Sequence, residues 1–168
     1  MLNDYPRCRL SSYMIRKPVA IGDKVPFFVL NDQYGDSFNI ESVLGKKNLV
    51  IYFYPKDDTP GCTTEACSFR DTYEEFTELN AMVIGISGDD EESHRNFSIK
   101  HKLNFKLLSD YGDHIRKRFG VPGSLFGMIP GRVTYIIDKK GIVRHIFNSQ
   151  VMPKKHISEA LKILMDLS

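Results

Sequence analysis

Residues 49–67 read LVIYFYPKDDTPGCTTEAC, and the reading of this stretch decides the fold. Leu49–Tyr54 is β-branched and aromatic with no polar alternation, the pattern of a central strand covered on both faces. Pro55 prevents the strand from continuing. Thr59 followed by Pro60 makes a good N-cap and first helical residue, so a helix is expected to open there with Cys62 in its first turn. Unpaired backbone N–H groups and the positive end of the helix macrodipole gather at such a position, and both favour a thiolate over a thiol. Most lone cysteines are small buried hydrophobes. A cysteine set at the start of a helix, at the end of a central strand and behind a Pro/Gly loop has instead the placement of a nucleophile.

Along the expected helix, Cys62, Ala66, Phe69, Tyr73 and Phe76 recur at spacings of 4, 3, 4 and 3, which puts Cys62 on the core-facing stripe. Cys67 lies about 100° off that stripe. It follows Cys62 by five residues rather than three, so the pair is not the C-x-x-C of a dithiol oxidoreductase. In an intact helix Cα atoms at i and i+5 stand about 8–9 Å apart, whereas a disulfide needs less than about 7 Å. Either the two cysteines never bond, or the first turns unwind when they do. Thr63, Thr64 and Ser68 are weak helix formers, which keeps unwinding inexpensive.

Outward from this junction, Phe27–Leu30 and Ser37–Ile40 predict a hairpin around Gly35. Met82–Ile86 predicts a second buried strand, and the acidic turn Asp89-Asp90-Glu91-Glu92 opens a helix to about Lys102. A short strand near Lys106–Leu108, a helix near Asp113–Phe119, a hairpin of Val133–Ile137 with Ile142–Phe147, and a terminal helix from Pro153 complete the chain. The order predicts an α/β fold, a thioredoxin-like three-layer sandwich with a central mixed sheet, helices on both faces and an N-terminal β-hairpin. A doubly wound sheet would need further βα units where the last hairpin lies.

The 168 residues suit one domain, and no composition break follows Val19. The net charge is only +2, which excludes binding to nucleic acid through a broad cationic face. The longest apolar run, Leu49–Tyr54, is six residues, so no membrane span is expected. Residues 1–18 hold Arg7, Arg9, Arg16 and Lys17 against Asp4 alone, and residues 19–168 are nearly neutral. The division expected is a basic arm over 1–18, flexible or the remnant of a transit peptide, and one domain over 19–168. The arm lacks the apolar region of a secretion signal. Three cysteines with no such signal imply a reducing compartment, cytoplasmic by default and a plastid or other organelle if the arm is a transit remnant. His94, His101, His114, His145 and His156 show no metal-binding spacing and are expected at the surface or partly buried.

The pattern Pro55-x-x-x-Thr59-x-x-Cys62 resembles the active-site signature of the peroxiredoxins, and GCTTEACSFRD (61–71) is similar to their Q-type, or bacterioferritin-comigratory-protein, subfamily. The likeness runs from about Val19 to Leu167, including Ile21–Phe28 and FGVPGSLFGMIPGR (119–132); Cys8 has no counterpart in it. The resemblance implies a thiol peroxidase without a cofactor. Cys62 would be the peroxidatic thiolate, which becomes a sulfenic acid. Cys67 would be the resolving cysteine, forming an intramolecular disulfide that thioredoxin or glutaredoxin reduces. Arg132 would stabilise charge, Thr59 would hold the peroxide and Pro55 would shield the pocket. From the residues alone Arg132 reads as a surface charge and Thr59 as a helix cap. Phe126, Met128 and Ile129 read as loop anchors, or as an apolar collar for larger hydroperoxides. Partners implied are a hydroperoxide and a thiol reductant, with neither nucleic acid nor membrane, and a monomer is expected. The alternative from another class is a thioredoxin-like redox sensor or partner-binding module.

Overall fold

The computed structural model describes residues 17–168; Cys8 and the basic arm through Arg16 lie outside the described residues. Its centre is β3 (Asn48–Phe53), in which every residue is buried. Side chains alternate across the sheet: Val50 and Tyr52 enter one core, and Leu49, Ile51 and Phe53 enter the other. A strand with two apolar faces is worth placing in the middle, because each large side chain fully buried stabilises the fold by roughly 1.5–3 kcal/mol.

Around β3 a seven-stranded mixed sheet forms. Its strands are β1 (Val29–Asp32), β2 (Ser37–Asn39), β3, β4 (Ala81–Ser87), β5 (Lys106–Ser109), β8 (Val133–Ile137) and β9 (Val143–Asn148), in the spatial order β2-β1-β5-β4-β3-β8-β9. β3 pairs parallel with β4 and antiparallel with β8. Helices α1 (Pro60–Asp71), α2 (Tyr73–Glu78), α3 (Glu91–His101) and α5 (Pro153–Asp166) contribute to the core on one face. α4 (His114–Phe119) packs on the other with Val25, Phe28, Phe38 and Ile40. This is the thioredoxin-like three-layer arrangement. Within β4, Gly85 is required by packing: a Cβ there would stand 2.8 Å from the Tyr52 ring and from Leu107. That ring stacks on Tyr54 and Phe69 at centroid distances of 5.3 and 4.7 Å.

Three details differ from the sequence expectation. The N-terminal hairpin, for which the sequence assigns no neighbouring strand, joins the central sheet because β1 pairs with β5 through Asn31↔Ser109. The long helical pattern after Cys62 breaks at Thr72, whose φ of −106° and ψ of 15° end α1 before α2 begins. Residues 120–132 contain a small hairpin, β6 (Gly123–Ser124) with β7 (Ile129–Pro130). At its tip Phe126 and Met128 are fully and largely exposed, so they anchor nothing. At the start of the domain, the Val19 N–H donates to the Phe119 carbonyl (3.0 Å). Among the described residues no helix is long and apolar enough to cross a membrane.

Candidate active site

Pro60 occupies the first position of α1, which places Cys62 at the third. The first intrahelical bond is donated by the Thr63 N–H to the Thr59 carbonyl (2.8 Å), so the N–H groups of Gly61 and Cys62 precede the ladder. The positive end of the macrodipole therefore falls on a thiol that is only 1% exposed.

The sheet supplies the second component. Phe53 at the end of β3 pairs with Val133 at the start of β8, so residue 132 enters beside the loop that leads into α1. Arg132 points its Nη2 at Cys62 Sγ, 3.3 Å away, and is buried. Gly61 makes room for it, because a Cβ at that residue would lie 3.0 Å from the same nitrogen. The surface position read from the residues alone is therefore wrong for Arg132: strand pairing carries it inward. A guanidinium in a dry site stabilises a thiolate and any charge that develops beside it.

Behind Arg132 stands a group that sequence reading missed. Glu65, fully buried, accepts from Arg132 Nη1. Its other oxygen lies 3.5 Å from His156 Nδ1, which is 2.7 Å from Thr134 Oγ1, while His156 Nε2 donates to the Ser149 carbonyl at 2.9 Å. Burial first, and then the nearby Arg132 charge, pushes His156 down to about 4, so it is a neutral ring accepting from Thr134 rather than an ion-pair partner. Burial pushes the Glu65 carboxyl up to about 8, against the pull of Arg132. The cation thus faces two groups that compete for it, Glu65 and Cys62. A charged residue three positions after Cys62, on the same helix face, was the available signal for Glu65.

The loop between β3 and α1 is pinned from two sides. Asp57 accepts from Tyr54 Oη (2.7 Å) and Ser93 Oγ (2.8 Å), and lies 2.8 Å from His94 Nδ1. Asp57, Asp89 and His94 are near enough together to hold a cation, but these hydrogen bonds, with that of the Asp57 N–H to Asp89 (3.0 Å), already engage them. Arg116 staples the loop to the Arg132 strand by donating to the Tyr54 carbonyl (2.6 Å) and the Gly131 carbonyl (2.7 Å). His94 and His156 are fully buried, which corrects the expectation that the histidines are surface or partly buried residues.

Of the remaining residues singled out, Pro55 and Thr59 are half-buried. Thr59 is at the N-cap position but its hydroxyl does not cap the helix; it donates to the Lys56 carbonyl at 3.0 Å. Cys67 is half-buried on the same helix and is not brought to Cys62. Its Sγ lies 3.9 Å from His101 Nδ1. Both cysteines are free thiols. The arrangement provides a buried thiol at a helix N-terminus, a cation in contact with it, and a second thiol one and a half turns away.

A family model described as the AhpC/TSA family matches residues 21–146. Peroxiredoxin Q, chloroplastic, from Triticum aestivum is 50% identical over 163 residues, covering 96% of this chain and 75% of the relative. Its counterpart from Arabidopsis thaliana is 54% identical over 151 residues, covering 90% and 69%. Among solved structures, the peroxidoxin BcpB from Mycobacterium tuberculosis superimposes with a TM-score of 0.82 at 35% identity, covering 88% of this chain and 97% of that one. The bacterioferritin comigratory protein of Xanthomonas campestris, described for its alkyl peroxide reduction activity, gives 0.76 at 32% identity, covering 83% and 91%.

Proposed function

The chain belongs to the AhpC/TSA family and is a thiol peroxidase, and we propose that Cys62 carries its peroxide chemistry while Cys67 resolves the product. The observation that carries the assignment is the 3.3 Å contact between Cys62 Sγ and Arg132 Nη2 at the buried start of α1. The Cys62 thiolate attacks one peroxide oxygen, the O–O bond breaks, and the other oxygen leaves as an alcohol or water after taking a proton. Negative charge moves from sulfur onto the leaving oxygen, and Arg132 stabilises both ends of that path. The Thr59 hydroxyl spends its proton on the Lys56 carbonyl, so its oxygen is free to accept from the peroxide O–H. Pro55 offers no N–H to water at the mouth and helps to keep the site dry. Glu65 aims Arg132, and Arg116 keeps the two strand ends in register.

The Cys62 sulfenic acid then condenses with Cys67 to give a disulfide and water. In intact α1 their Cα atoms stand about 8–9 Å apart, so the first turns unwind for this step. A thiol reductant completes the cycle, and we assign it to thioredoxin or glutaredoxin, which reopen an exposed disulfide by exchange. Substrates include alkyl hydroperoxides, as named for the Xanthomonas relative, besides hydrogen peroxide. The plant relatives carry chloroplast names, which favours a plastid over the cytoplasmic default. We propose a monomer, since both cysteines lie on one helix and resolution within one chain needs no second copy.

Intact mass after one equivalent of hydrogen peroxide tests the assignment. Loss of two hydrogens, with the Cys62–Cys67 disulfide recovered on peptide mapping, is expected. A gain of one oxygen with no disulfide removes Cys67 from the cycle, and continued peroxide consumption by Cys62→Ser removes Cys62.

A further inference from the structure

Cys67 lies off the core stripe and faces a part of the molecule that the peroxide step does not use. His101, the last residue of α3, brings Nδ1 to 3.9 Å from Cys67 Sγ. Its Nε2 lies 3.1 Å from Asp58 Oδ1. Since a carboxylate only accepts, Nε2 carries the ring proton and Nδ1 presents its lone pair to the thiol. The ring is held from other directions as well. Phe97 packs edge-on at 5.0 Å, and the His101 carbonyl accepts from the Arg70 guanidinium. Asp58 takes a second bond from Lys100 Nζ at 2.9 Å, and the Lys100 ammonium together with His101 keeps its carboxyl below the usual range. It does so with a φ of 56°, a left-handed conformation that Asp and Asn tolerate better than most residues. The charged groups facing the ring are therefore Asp58 from the loop before α1, Lys100 from α3, and Arg70 from α1, with Asp71 paired to Arg70 at 2.8 Å.

We propose that His101, oriented by Asp58, is the base that deprotonates Cys67 in the resolving step. This rests on the reading of Cys67 as the resolving cysteine. A thiol-to-imidazole contact backed by a carboxylate is the arrangement by which nucleophilic cysteines are activated, and it occurs here at the second cysteine. In the folded helix the Cys67 proton passes to His101 Nδ1. The resulting thiolate attacks the sulfur of the Cys62 sulfenic acid, and the S–O bond breaks. Hydroxide departs with that electron pair, and a proton from the imidazolium, relayed through solvent, converts it to water. Cys62 sulfenic acid and Cys67 thiol thus give one disulfide and one water, with no further reactant. His101 acts before α1 opens, because unwinding carries Cys67 away from it.

The test separates the two chemical steps by quenched flow on the full-length protein, with sulfenic acid trapped by dimedone and disulfide measured by mass. His101→Gln is expected to leave Cys62 oxidation within twofold of the parent and to slow disulfide formation at pH 7 by roughly 10²-fold, the lower end of what a lost proton acceptor costs. The deficit should shrink as pH rises, because solvent hydroxide replaces the base. Asp58→Asn keeps the left-handed loop and should give a smaller loss with the same pH dependence. Disulfide formation at the parent rate in His101→Gln overturns the proposal, as does a deficit equal at every pH, which would mark a purely structural role. Cys67→Ser is the separate control: if it still forms an intramolecular disulfide, the resolving assignment fails whatever His101 does.

Discussion

Arg132 is one cation shared between Cys62 and Glu65, and its value to catalysis depends on how little of it Glu65 claims. Burial raises the Glu65 carboxyl to about 8, so Glu65 holds its negative charge weakly and competes less for the guanidinium than an exposed carboxylate would. Arg132→Met should slow oxidation of Cys62 by about 10²–10³-fold, the cost of losing a preorganised charge. Competition kinetics against a second peroxidase measures this, and a loss below threefold would contradict the role. Stability should respond to pH in two opposite ways. Glu65 holds a proton in the fold that the unfolded chain releases above its ordinary 4.5, so its stabilisation is full below that pH and declines as pH rises to about 8. His156 is held neutral down to about 4, so its stabilisation is full above 6.5 and is lost as pH falls through 4. The two slopes offset one another between 4.5 and 6.5, so urea titrations across pH 4–8 should show the decline above 6.5 vanish in Glu65→Gln, and a decline that begins near 4.5 appear in His156→Gln. Cys62 was legible in the sequence because a strand end, a Pro/Gly loop and an N-cap are local signals. Arg132, read from the residues alone, was a surface charge, since only strand pairing moves it inward. Glu65 and His156 were missed because their meaning depends on burial contributed by other elements.

At the scale of the element, α1 is built to be opened. Thr64, Ser68 and Thr72 each turn the side-chain hydroxyl back onto the carbonyl four residues earlier, at 2.9, 2.7 and 2.7 Å. Such bonds weaken and bend helices. Replacing Thr64 and Ser68 together by Ala should stabilise the helix by about 1 kcal/mol from propensity alone. Disulfide formation should then slow about fivefold with the peroxide step unchanged. Equal slowing of both steps would argue against unwinding as the gate. Far-ultraviolet circular dichroism should also show helix loss when Cys62 and Cys67 join. The break at Thr72 escaped sequence reading because Phe69 and Phe76 keep the apolar period across it, and both remain buried. The β6–β7 hairpin escaped for the opposite reason, since its apolar tip residues face solvent and no periodicity marks them.

At the scale of the whole molecule, the sandwich was legible because β3, β4 and β8 are continuous apolar runs that only a sheet covered on both faces accommodates. The joining of the first hairpin through β1 and β5 was not legible, since pairing partners at an edge are chosen by space rather than by pattern. The pairing of Phe53 with Val133 has a further consequence, for the time before the molecule is finished. Cys62 and Arg132 are 70 residues apart in the chain and meet only after β3 and β8 have joined. Until then a nascent polypeptide carries an ordinary thiol, slow to react with oxidants. With the roles proposed for Cys62 and Arg132, oxidant sensitivity is acquired only once β3 and β8 have paired, and the speed with which a refolding sample consumes peroxide becomes a clock for the closure of its sheet.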